Sequence, residues 1–530
     1  MSAKRILKLS LATLVMFVSV FAALAFAPVQ TEAQEVEHVF FFIGDGLGNA
    51  QSTLTEYYLQ AKYDDPDFRL NMNKLDEMAI TTTYGADKVV PGSAQTATAL
   101  ASGHKTNFGY VGMTTDHKPT TTIMDRAREN DWGTGLVTTT RITHATPAAF
   151  ASHVPDRGME NEIIEHYLEK EVDVIAGGGY RHLYPQDHPA SSRTDDRNMY
   201  AEFTAAGYNI FEGPADVEKF RNFAPEGRER LLAGFHPTHM SYEIDRDPAE
   251  EPSLAEMTKV ALNTLENYGK FMMVIEGGRI DHAAHNNDPG GMIYDTIAFD
   301  EAIGVALEFY EENPDNTLII VAGDHETGGL GLNSCEGMEY GYYLNFEPIF
   351  AQNASIEEGI AFENEEQWYQ DIADKFGLDE LTPREQAWME HGVAIEKEYG
   401  READVGRPGR IGGVYDGGQD YDVPYDEEAM RDVMYAHWPQ APWISPAQST
   451  LAHIVSRRAK IGWNTSSHTG SAIQLTAHGA GASNYEGRMD NTDVAKITAA
   501  LLDFELDPEV GVAEIEVAES RNLLRRIFGR

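Results

Sequence analysis

Short apolar runs that end at glycine or at an acidic residue recur along the chain. Five of them cover residues 39–43, 135–139, 174–176, 271–275 and 318–321. Such continuous runs are typical of strands buried on both faces of a parallel sheet. An amphipathic helical pattern at 292–310 lies between the last two. The alternation predicts an α/β fold, a three-layer sandwich whose central, mostly parallel β-sheet is flanked by helices.

Polar side chains follow three of these predicted strands directly. Asp45 follows the first strand, Glu276 the fourth, and Asp324 with His325 the fifth. In open α/β sheets, ligands bind outside the carboxyl ends of the strands. Carboxylate and imidazole groups at that edge predict a metal site. Taken alone, the Asp324-His325 pair is explained equally well as an exposed strand end.

The strongest local motif is EGGRIDHAAH at residues 276–285. If a helix begins near Asp281, then Asp281 and His285 lie on one helix face and can bind one metal ion. Oxygen and nitrogen ligands of this kind suit zinc. Without the other motifs, the same pair is more often ordinary helix surface.

Asp45 lies within the glycine-rich segment GDGLG at residues 44–48. The segment superficially resembles a dinucleotide-binding loop, but its glycines do not have the G-x-G-x-x-G spacing of that fingerprint. Glycines on both sides of Asp45 let other groups approach closely. We therefore interpret Asp45 as a metal ligand.

Ser93 lies in PGSAQTATAL at residues 91–100, which has the composition of a loop entering a helix of small residues. A serine there is ordinarily an N-cap. In the alternative reading it is a nucleophile, because free amides at a helix N-terminus favour a phosphate on its hydroxyl. A coordinated metal can then lower the pKa of a serine that lacks a base. His468, in SSHTGS at 466–471, says little by itself.

In residue type, order and internal spacing these motifs resemble the alkaline phosphatase family over residues 37–335 and 450–490. The resemblance implies hydrolysis of phosphate monoesters with broad specificity, through a phosphoserine on Ser93 and with Arg157 binding the phosphate. It also implies two zinc ions, a third ion that is usually magnesium, and a homodimer. The implied ligands are Asp281, His285 and His468 for the first zinc, Asp324, His325 and Asp45 for the second, and Asp45, Glu276 and Thr146 for the third ion.

Three residues depart from the family pattern. Many members carry an aspartate before the nucleophile, where it helps to position the arginine, but this chain has Gly92. We therefore expect Arg157 to be held more loosely. His144 and His282 replace an aspartate and a lysine of some bacterial members, a combination that resembles animal-type members. Both are candidates for supporting the metal ligands, and neither is predicted as a direct ligand.

Two other functions compete with this interpretation. Relatives with the same core hydrolyse phosphodiesters or sulfate esters, but they often use another nucleophile and lack the residues for the third metal. Ser93, Thr146 and Glu276 are all present here. The second alternative is a metal- or phosphate-binding protein without turnover, which only Gly92 favours. Phosphate monoester hydrolysis explains more of the motifs than either alternative.

The chain is strongly acidic, with 41 Lys+Arg against 85 Asp+Glu and a net charge of −44. A chain with this charge is not expected to bind nucleic acid or anionic lipid. Most of the carboxylates must lie on the solvated surface of the protein. Counterions screen the repulsion among them, so the acidic excess favours a salt-rich, halophilic setting.

The N-terminus has the pattern of an export signal. Lys4, Arg5 and Lys8 precede an uncharged stretch at 9–31, and small residues that suit cleavage lie near residues 27 and 33. We expect residues 1–33 to be a signal peptide and the enzyme to be periplasmic or secreted. A retained membrane anchor at 9–27 is the alternative, because that stretch is long enough to span a bilayer. The single cysteine, Cys335, excludes an internal disulfide.

Composition changes in the second half of the chain. Residues 337–449 mix aromatic and acidic residues with Gly/Pro-rich turns, and a helical pattern is visible only near 365–399. We expect this region to be a large insertion, forming a cap or crown. Residues 34–336 and 450–530 then form the catalytic domain.

Overall fold

The computed structural model describes residues 35–333, 342–362, 365–399 and 444–507. The predicted signal peptide and Cys335 lie outside these ranges. The strands are β1 (His38–Gly44), β2 (Glu77–Thr81), β3 (Gly133–Arg141), β4 (Val174–Gly178), β5 (Tyr208–Glu212), β6 (Arg230–Gly234), β7 (Phe271–Gly277), β8 (Thr317–Gly323), β9 (Glu326–Thr327), β10 (Leu330–Gly331), β11 (Gly462–Trp463), β12 (His468–Thr469), β13 (Ile473–Gly479) and β14 (Gly487–Met489).

Helices connect most of these strands. They are α1 (Asn49–Tyr63), α2 (Ser93–Ser102), α3 (Ile123–Glu129), α4 (Ala145–Ala151), α5 (Glu160–Glu169), α6 (Met199–Ala205), α7 (Val217–Arg221), α8 (Leu254–Leu265), α9 (Arg279–His285), α10 (Pro289–Glu312), α11 (Glu347–Ala351), α12 (Glu365–Phe376), α13 (Pro383–Tyr399), α14 (Pro446–Ala459) and α15 (Asn491–Leu501).

The central sheet has the strand order β14-β2-β13-β8-β1-β7-β3-β4-β6-β5. Its paired strands are parallel except at β13, which runs antiparallel to both β2 and β8. In the middle of the sheet, Gly44 of β1 lies opposite Gly277 of β7 and Gly323 of β8. The loops that follow these three strands therefore leave the sheet at one edge, as the sequence predicted.

Side chains of β1, in the middle of the sheet, alternate between two hydrophobic clusters, one on each face of the sheet. Phe41 and Ile43 pack in the cluster that includes residues of α2, α4 and α5. Phe40 and Phe42 pack in the other, which includes residues of α1, α8 and α10. Every residue of β1 is buried, which explains its continuous apolar sequence. The predicted three-layer architecture is confirmed.

A third hydrophobic cluster lies in the predicted insertion. It joins residues of α12 and α13 to Ile444 and to residues of α14. The predicted helical region at 365–399 is two helices, and α14 continues across residue 449. The limits of the insertion stay a prediction. Among the described residues, no helix has the length and apolar character needed to cross a membrane.

Lys105 connects the loop after α2 to the start of α15. Its Nζ donates to Asp490 Oδ1 at 2.9 Å, to Asn491 Oδ1 at 2.5 Å and to the Tyr84 carbonyl oxygen at 2.8 Å. The ammonium group is buried, so these oxygens replace its lost hydration. Burial alone would raise the pKa of Asp490, but Lys105 outweighs burial and lowers that pKa to about 2.

We expect Asp490→Asn to lower the free energy of unfolding at neutral pH by about 1–2 kcal/mol. Asparagine can still cap α15, but its amide nitrogen replaces the oxygen that accepts from Thr82 Oγ1 at 2.8 Å, so the change removes the charge together with this one acceptor. The native pKa of Asp490 is below its ordinary 3.8, so this contribution is present above that value and disappears as pH falls through about 2. Thermal melting at pH 7 and pH 2.5 measures the difference. Asp493→Asn is the control, and equal midpoints for wild type and Asp490→Asn at pH 7 would contradict the prediction.

Candidate functional site

The edge where the central strands end collects the polar residues predicted from the sequence. Asp45 and Asp324 follow β1 and β8, and Glu276 is the penultimate residue of β7. All three carboxylates are buried. Helix α9, which follows β7, and strand β12 bring further side chains to the same place. The predicted residues that meet there are Asp45, Ser93, His144, Thr146, Arg157, Glu276, Asp281, His285, Asp324, His325 and His468.

One group of ligand atoms forms around Asp281. Its Oδ2 lies 3.2 Å from His285 Nε2, one helical turn later in α9, and its Oδ1 lies 3.6 Å from His468 Nε2. His285 Nδ1 donates to the Ser466 carbonyl oxygen and His468 Nδ1 to the Pro91 carbonyl oxygen, both at 2.7 Å. These bonds place the proton of each ring on Nδ1, so the two Nε2 atoms, 3.0 Å apart, are the atoms that would bind a metal.

A second group lies beside Ser93. His325 Nε2 is 3.4 Å from Asp45 Oδ1, 3.3 Å from Asp324 Oδ2 and 3.4 Å from Ser93 Oγ. Thr96, one turn into α2, donates its hydroxyl to Asp324 Oδ2 at 3.0 Å. Asp45 Oδ1 is buried and has no hydrogen-bond donor among the described residues. A buried carboxylate oxygen without a hydrogen-bond donor is a suitable ligand for a cation.

A third group surrounds Glu276. His144 Nδ1 lies 2.9 Å from Glu276 Oε1, and Thr146 donates its hydroxyl to Asp45 Oδ2 at 3.3 Å. Thr138 and Thr140 in β3 both donate hydroxyls to Glu276 Oε2. The sequence analysis missed these two threonines, although polar residues at the end of an otherwise buried strand were the available signal.

The buried negative charge of the three groups favours the binding of cations. Burial and the Asp324 carboxylate raise the pKa of Asp45 well above its ordinary value, and burial raises that of Asp324 to about 7. Burial also acts to raise the pKa of Asp281, but His285 outweighs it and holds that pKa well below normal. In the described part of the chain, none of these three carboxylates or Glu276 forms an ion pair with Lys or Arg. Buried carboxylates in this number need positive charge nearby.

Three sets of residues have ligand atoms close enough together to bind an ion each. Within each set, these atoms lie within 4.8 Å of one another. Neighbouring sets share His325 or Asp45, so the three positions are contiguous. The sets are Asp281, His325 and His468; Asp45, Asp324 and His325; and Asp45, His144 and Glu276.

Ser93 is the first residue of α2, and Gly92 is its N-cap. The serine hydroxyl is therefore not the helix cap, and it faces the second group of ligand atoms. A Cβ on Gly92 would lie 2.8 Å from Phe108 Cε2. The ring of Phe108 thus occupies the space beside Gly92 where the side chain of the family's aspartate would begin.

Arg157 reaches the site from the loop after α4. Its Nη1 lies 3.5 Å from Ser93 Oγ, and its Nη2 donates to His144 Nε2 at 2.7 Å. The Arg157 amide donates to the Gly109 carbonyl oxygen at 2.9 Å, which anchors the loop. His144 therefore contacts both Glu276 and Arg157. The sequence analysis did not foresee this contact, since it depends on tertiary structure alone.

His282 lies outside the three sets of ligand atoms. Arg279 Nη1 donates to His282 Nδ1 at 3.0 Å, and the ring of His239 packs against it with centroids 4.3 Å apart. Burial and the Arg279 guanidinium hold the pKa of His282 well below its ordinary value, so the ring is neutral. His239 and Arg141, which donates to His239, are further residues that the sequence analysis missed.

Comparison with known proteins identifies the family. The family model for alkaline phosphatase matches residues 36–504. The chain belongs to the alkaline phosphatase family. It is 29% identical to the repressible alkaline phosphatase of Saccharomyces cerevisiae, over 90% of this chain and 83% of that protein. Alkaline phosphatase 3 of Bacillus subtilis is 27% identical, over 89% of this chain and 90% of that protein.

Solved alkaline phosphatases share the fold. The enzyme of Thermus thermophilus superposes with a TM-score of 0.70 at 27% identity, covering 94% of this chain and 99% of that one. The enzyme of a psychrophilic Shewanella gives 0.69 at 25% identity, over 88% and 99% of the two chains. The predicted family, fold and enzyme class are confirmed, and this alkaline phosphatase is a phosphomonoesterase.

Proposed function

We propose that this alkaline phosphatase hydrolyses phosphate monoesters of broad structure by double displacement, with Ser93 as the nucleophile. The observation that carries the proposal is the position of Ser93 Oγ. It lies 3.4 Å from His325 Nε2 and 3.5 Å from Arg157 Nη1, at the start of a helix and beside buried carboxylates. A phosphate held there would meet the arginine and the free amides of the helix N-terminus.

We propose that two zinc ions and one magnesium ion complete the site. The zinc ligands would be Asp281, His285 and His468 for one ion and Asp45, Asp324 and His325 for the other, while Asp45, Glu276 and Thr146 would bind magnesium. Their donor sets suit these metals, because sets that combine imidazole nitrogen with carboxylate oxygen favour zinc and all-oxygen sets favour magnesium. When bound, the ions supply positive charge that lowers the pKa of a coordinated hydroxyl and stabilises the oxygens of a transferring phosphoryl group.

The chain's own residues then carry out two displacements. Ser93 Oγ loses its proton to solvent and attacks phosphorus, so that an Oγ–P bond forms while the P–O bond to the leaving group breaks in line with it. The departing oxygen takes up a proton from solvent and leaves as the alcohol. Arg157 binds two phosphate oxygens with its guanidinium group and orients the phosphoryl group. Water next attacks the phosphorus of the phosphoserine, and the Oγ–P bond breaks. Inorganic phosphate is released, and a proton from the water restores the serine hydroxyl.

Broad specificity follows from where these contacts lie. Ser93, Arg157 and the proposed ligands all act on the phosphoryl group and not on the alcohol. The binding energy of these contacts is therefore available to any monoester whose leaving group can reach the edge of the site. Export, the homodimer and a salt-rich habitat stay predictions from the sequence.

The deciding experiment measures hydrolysis of an aryl phosphate at alkaline pH, before and after chelation and after zinc and magnesium are added back. We expect activity to disappear on chelation and to return with both metals. A phosphodiester and a sulfate ester are tested in parallel as competing substrates. Faster turnover of either one, or no activity in metal-loaded protein, would contradict the proposal.

A further inference from the structure

Glu326 is a buried carboxylate beside the site that belongs to none of the three sets of ligand atoms. Its side chain is only 6% exposed. Oε1 accepts hydrogen bonds from Gln51 Nε2 at 2.7 Å and from the Leu330 amide at 3.2 Å, and Oε2 accepts one from Thr469 Oγ1 at 2.5 Å. In the described part of the chain no Lys or Arg pairs with Glu326, so these neutral donors stabilise its charge.

The donors come from the segments that carry the proposed zinc ligands. Gln51 lies in α1, directly after the loop that begins with Asp45. Glu326 itself follows His325, and Thr469 follows His468. The side chain of Glu326 therefore connects three segments, each of which supplies a ligand to one or both zinc positions.

The fit around Glu326 is close. A Cβ on Gly48, in the loop after Asp45, would lie 2.3 Å from Glu326 Cγ. Gln51 Nε2 also donates to the Thr327 carbonyl oxygen at 2.7 Å, and Thr327 Oγ1 donates to Asp281 Oδ1 at 2.5 Å. The contacts thus extend from α1 through β9 to the first group of ligands.

Strands β9 and β12 are too short to hold their own alignment. Each has two residues, and they pair antiparallel so that Thr469 lies opposite Glu326 and His468 opposite Thr327. An isolated two-stranded ribbon is marginal in water even when it is longer. The segment of His468 also comes from a distant part of the chain, so ordering it has an entropic cost. A hydrogen bond to a charged acceptor stabilises such a strand pair more strongly than a hydrogen bond between neutral groups.

We infer that Glu326 is a positioning residue, which aligns His325 and His468 before zinc binds. The inference rests on the proposed zinc sites. A ligand set that is already ordered loses less entropy on binding, so the metal binds more tightly. Outer partners of metal ligands typically contribute 10- to 100-fold to metal affinity. Glu326 would act in this way on two histidines at once, through the backbone of β9 and the hydroxyl of Thr469.

The test uses Thr469→Val, which removes the hydroxyl at nearly constant shape, and Glu326→Gln, which removes the charge. Zinc affinity is measured by competition with a chromophoric chelator on the purified full chain. We expect each variant to bind zinc about 10- to 100-fold more weakly. Thr469→Ser, which keeps the donor, should stay within about threefold of wild type. The double variant should be no weaker than the worse single variant, because both changes break one connection.

A purely structural role predicts different results. Asp300 is a buried carboxylate that accepts from the amides of Asn71 and Met72 and contacts no proposed ligand. Asp300→Asn is therefore the control, and it should leave zinc affinity unchanged. Saturating zinc should restore most of the kcat of Thr469→Val, since the nucleophile and the ligands are intact.

Two outcomes would overturn the inference. One is wild-type zinc affinity in Thr469→Val, and the other is an equal loss of affinity in Asp300→Asn. His468→Ala distinguishes these from failure of the proposed function. If His468→Ala also binds zinc like wild type, the proposed zinc site itself is wrong.

Discussion

Ser93→Ala is expected to lower kcat for an aryl phosphate by on the order of 10⁴-fold and to abolish the covalent intermediate. In the proposal this hydroxyl is the protein group that attacks the substrate, and its loss leaves water to attack the phosphorus of the substrate directly. Zinc content should not change, because Ser93 is not among the proposed ligands. Its Oγ lies 3.4 Å from His325 Nε2 at the edge of the ligand groups.

The measurement combines steady-state kinetics with acid quenching during turnover. Wild-type protein should carry phosphate on the peptide that contains Ser93, and the variant should carry none. Ser102→Ala is the matched control, since Ser102 is a buried serine at the other end of α2 whose hydroxyl donates to the Thr98 carbonyl oxygen. Phosphate trapped on any other residue, or a variant that keeps a tenth of the activity, would refute the role of Ser93.

Asp281→Ala is expected to remove one zinc ion per chain and to lower activity by at least about 10²-fold. Asp281 lies within 3.2 Å of His285 Nε2 and 3.6 Å of His468 Nε2, so it is central to the first group of ligands. Without the Asp281 carboxylate, only the two imidazoles of this group remain to bind the metal. The remaining group, with Asp45, Asp324 and His325, should keep its own ion.

Elemental analysis after dialysis against a weak chelator measures the zinc content. Asp300→Ala is the control, because it removes a buried carboxylate that accepts from the amides of Asn71 and Met72, away from the ligand groups. Full zinc content in the Asp281 variant would show that Asp281 is not a ligand. Loss of zinc from both variants would instead indicate a general loss of structure.

Much of the site was predictable because its residues follow recognisable elements. The apolar runs identified β1, β7 and β8, and the parallel arrangement brings their ends together. A spacing of four residues was enough to place Asp281 and His285 on one face of α9. These inferences use only local periodicity, which the sequence records directly.

Contacts between distant side chains were not predictable in the same way. Nothing local to His144 indicates that it lies between Glu276 and Arg157, and nothing local to Glu326 indicates Thr469 as its partner. Such pairs form only after the sheet has assembled. The break between α12 and α13 was also missed, although Gly377, which adopts a positive φ of 62°, and Pro383, which begins the next helix, were the available signals.

The position of β13 has a consequence for how the enzyme is made. This strand, from the last part of the chain, lies between β2 and β8 in the sheet, and β12 with His468 comes just before it. A ribosome reaches His468 about 190 residues after Asp281, or about 10–40 s later at usual translation rates. Until then the sheet lacks an inner strand and the first ligand group lacks one imidazole. If His468 binds the first zinc ion as proposed, we therefore expect a chain that ends before β12 and β13 to lack phosphatase activity.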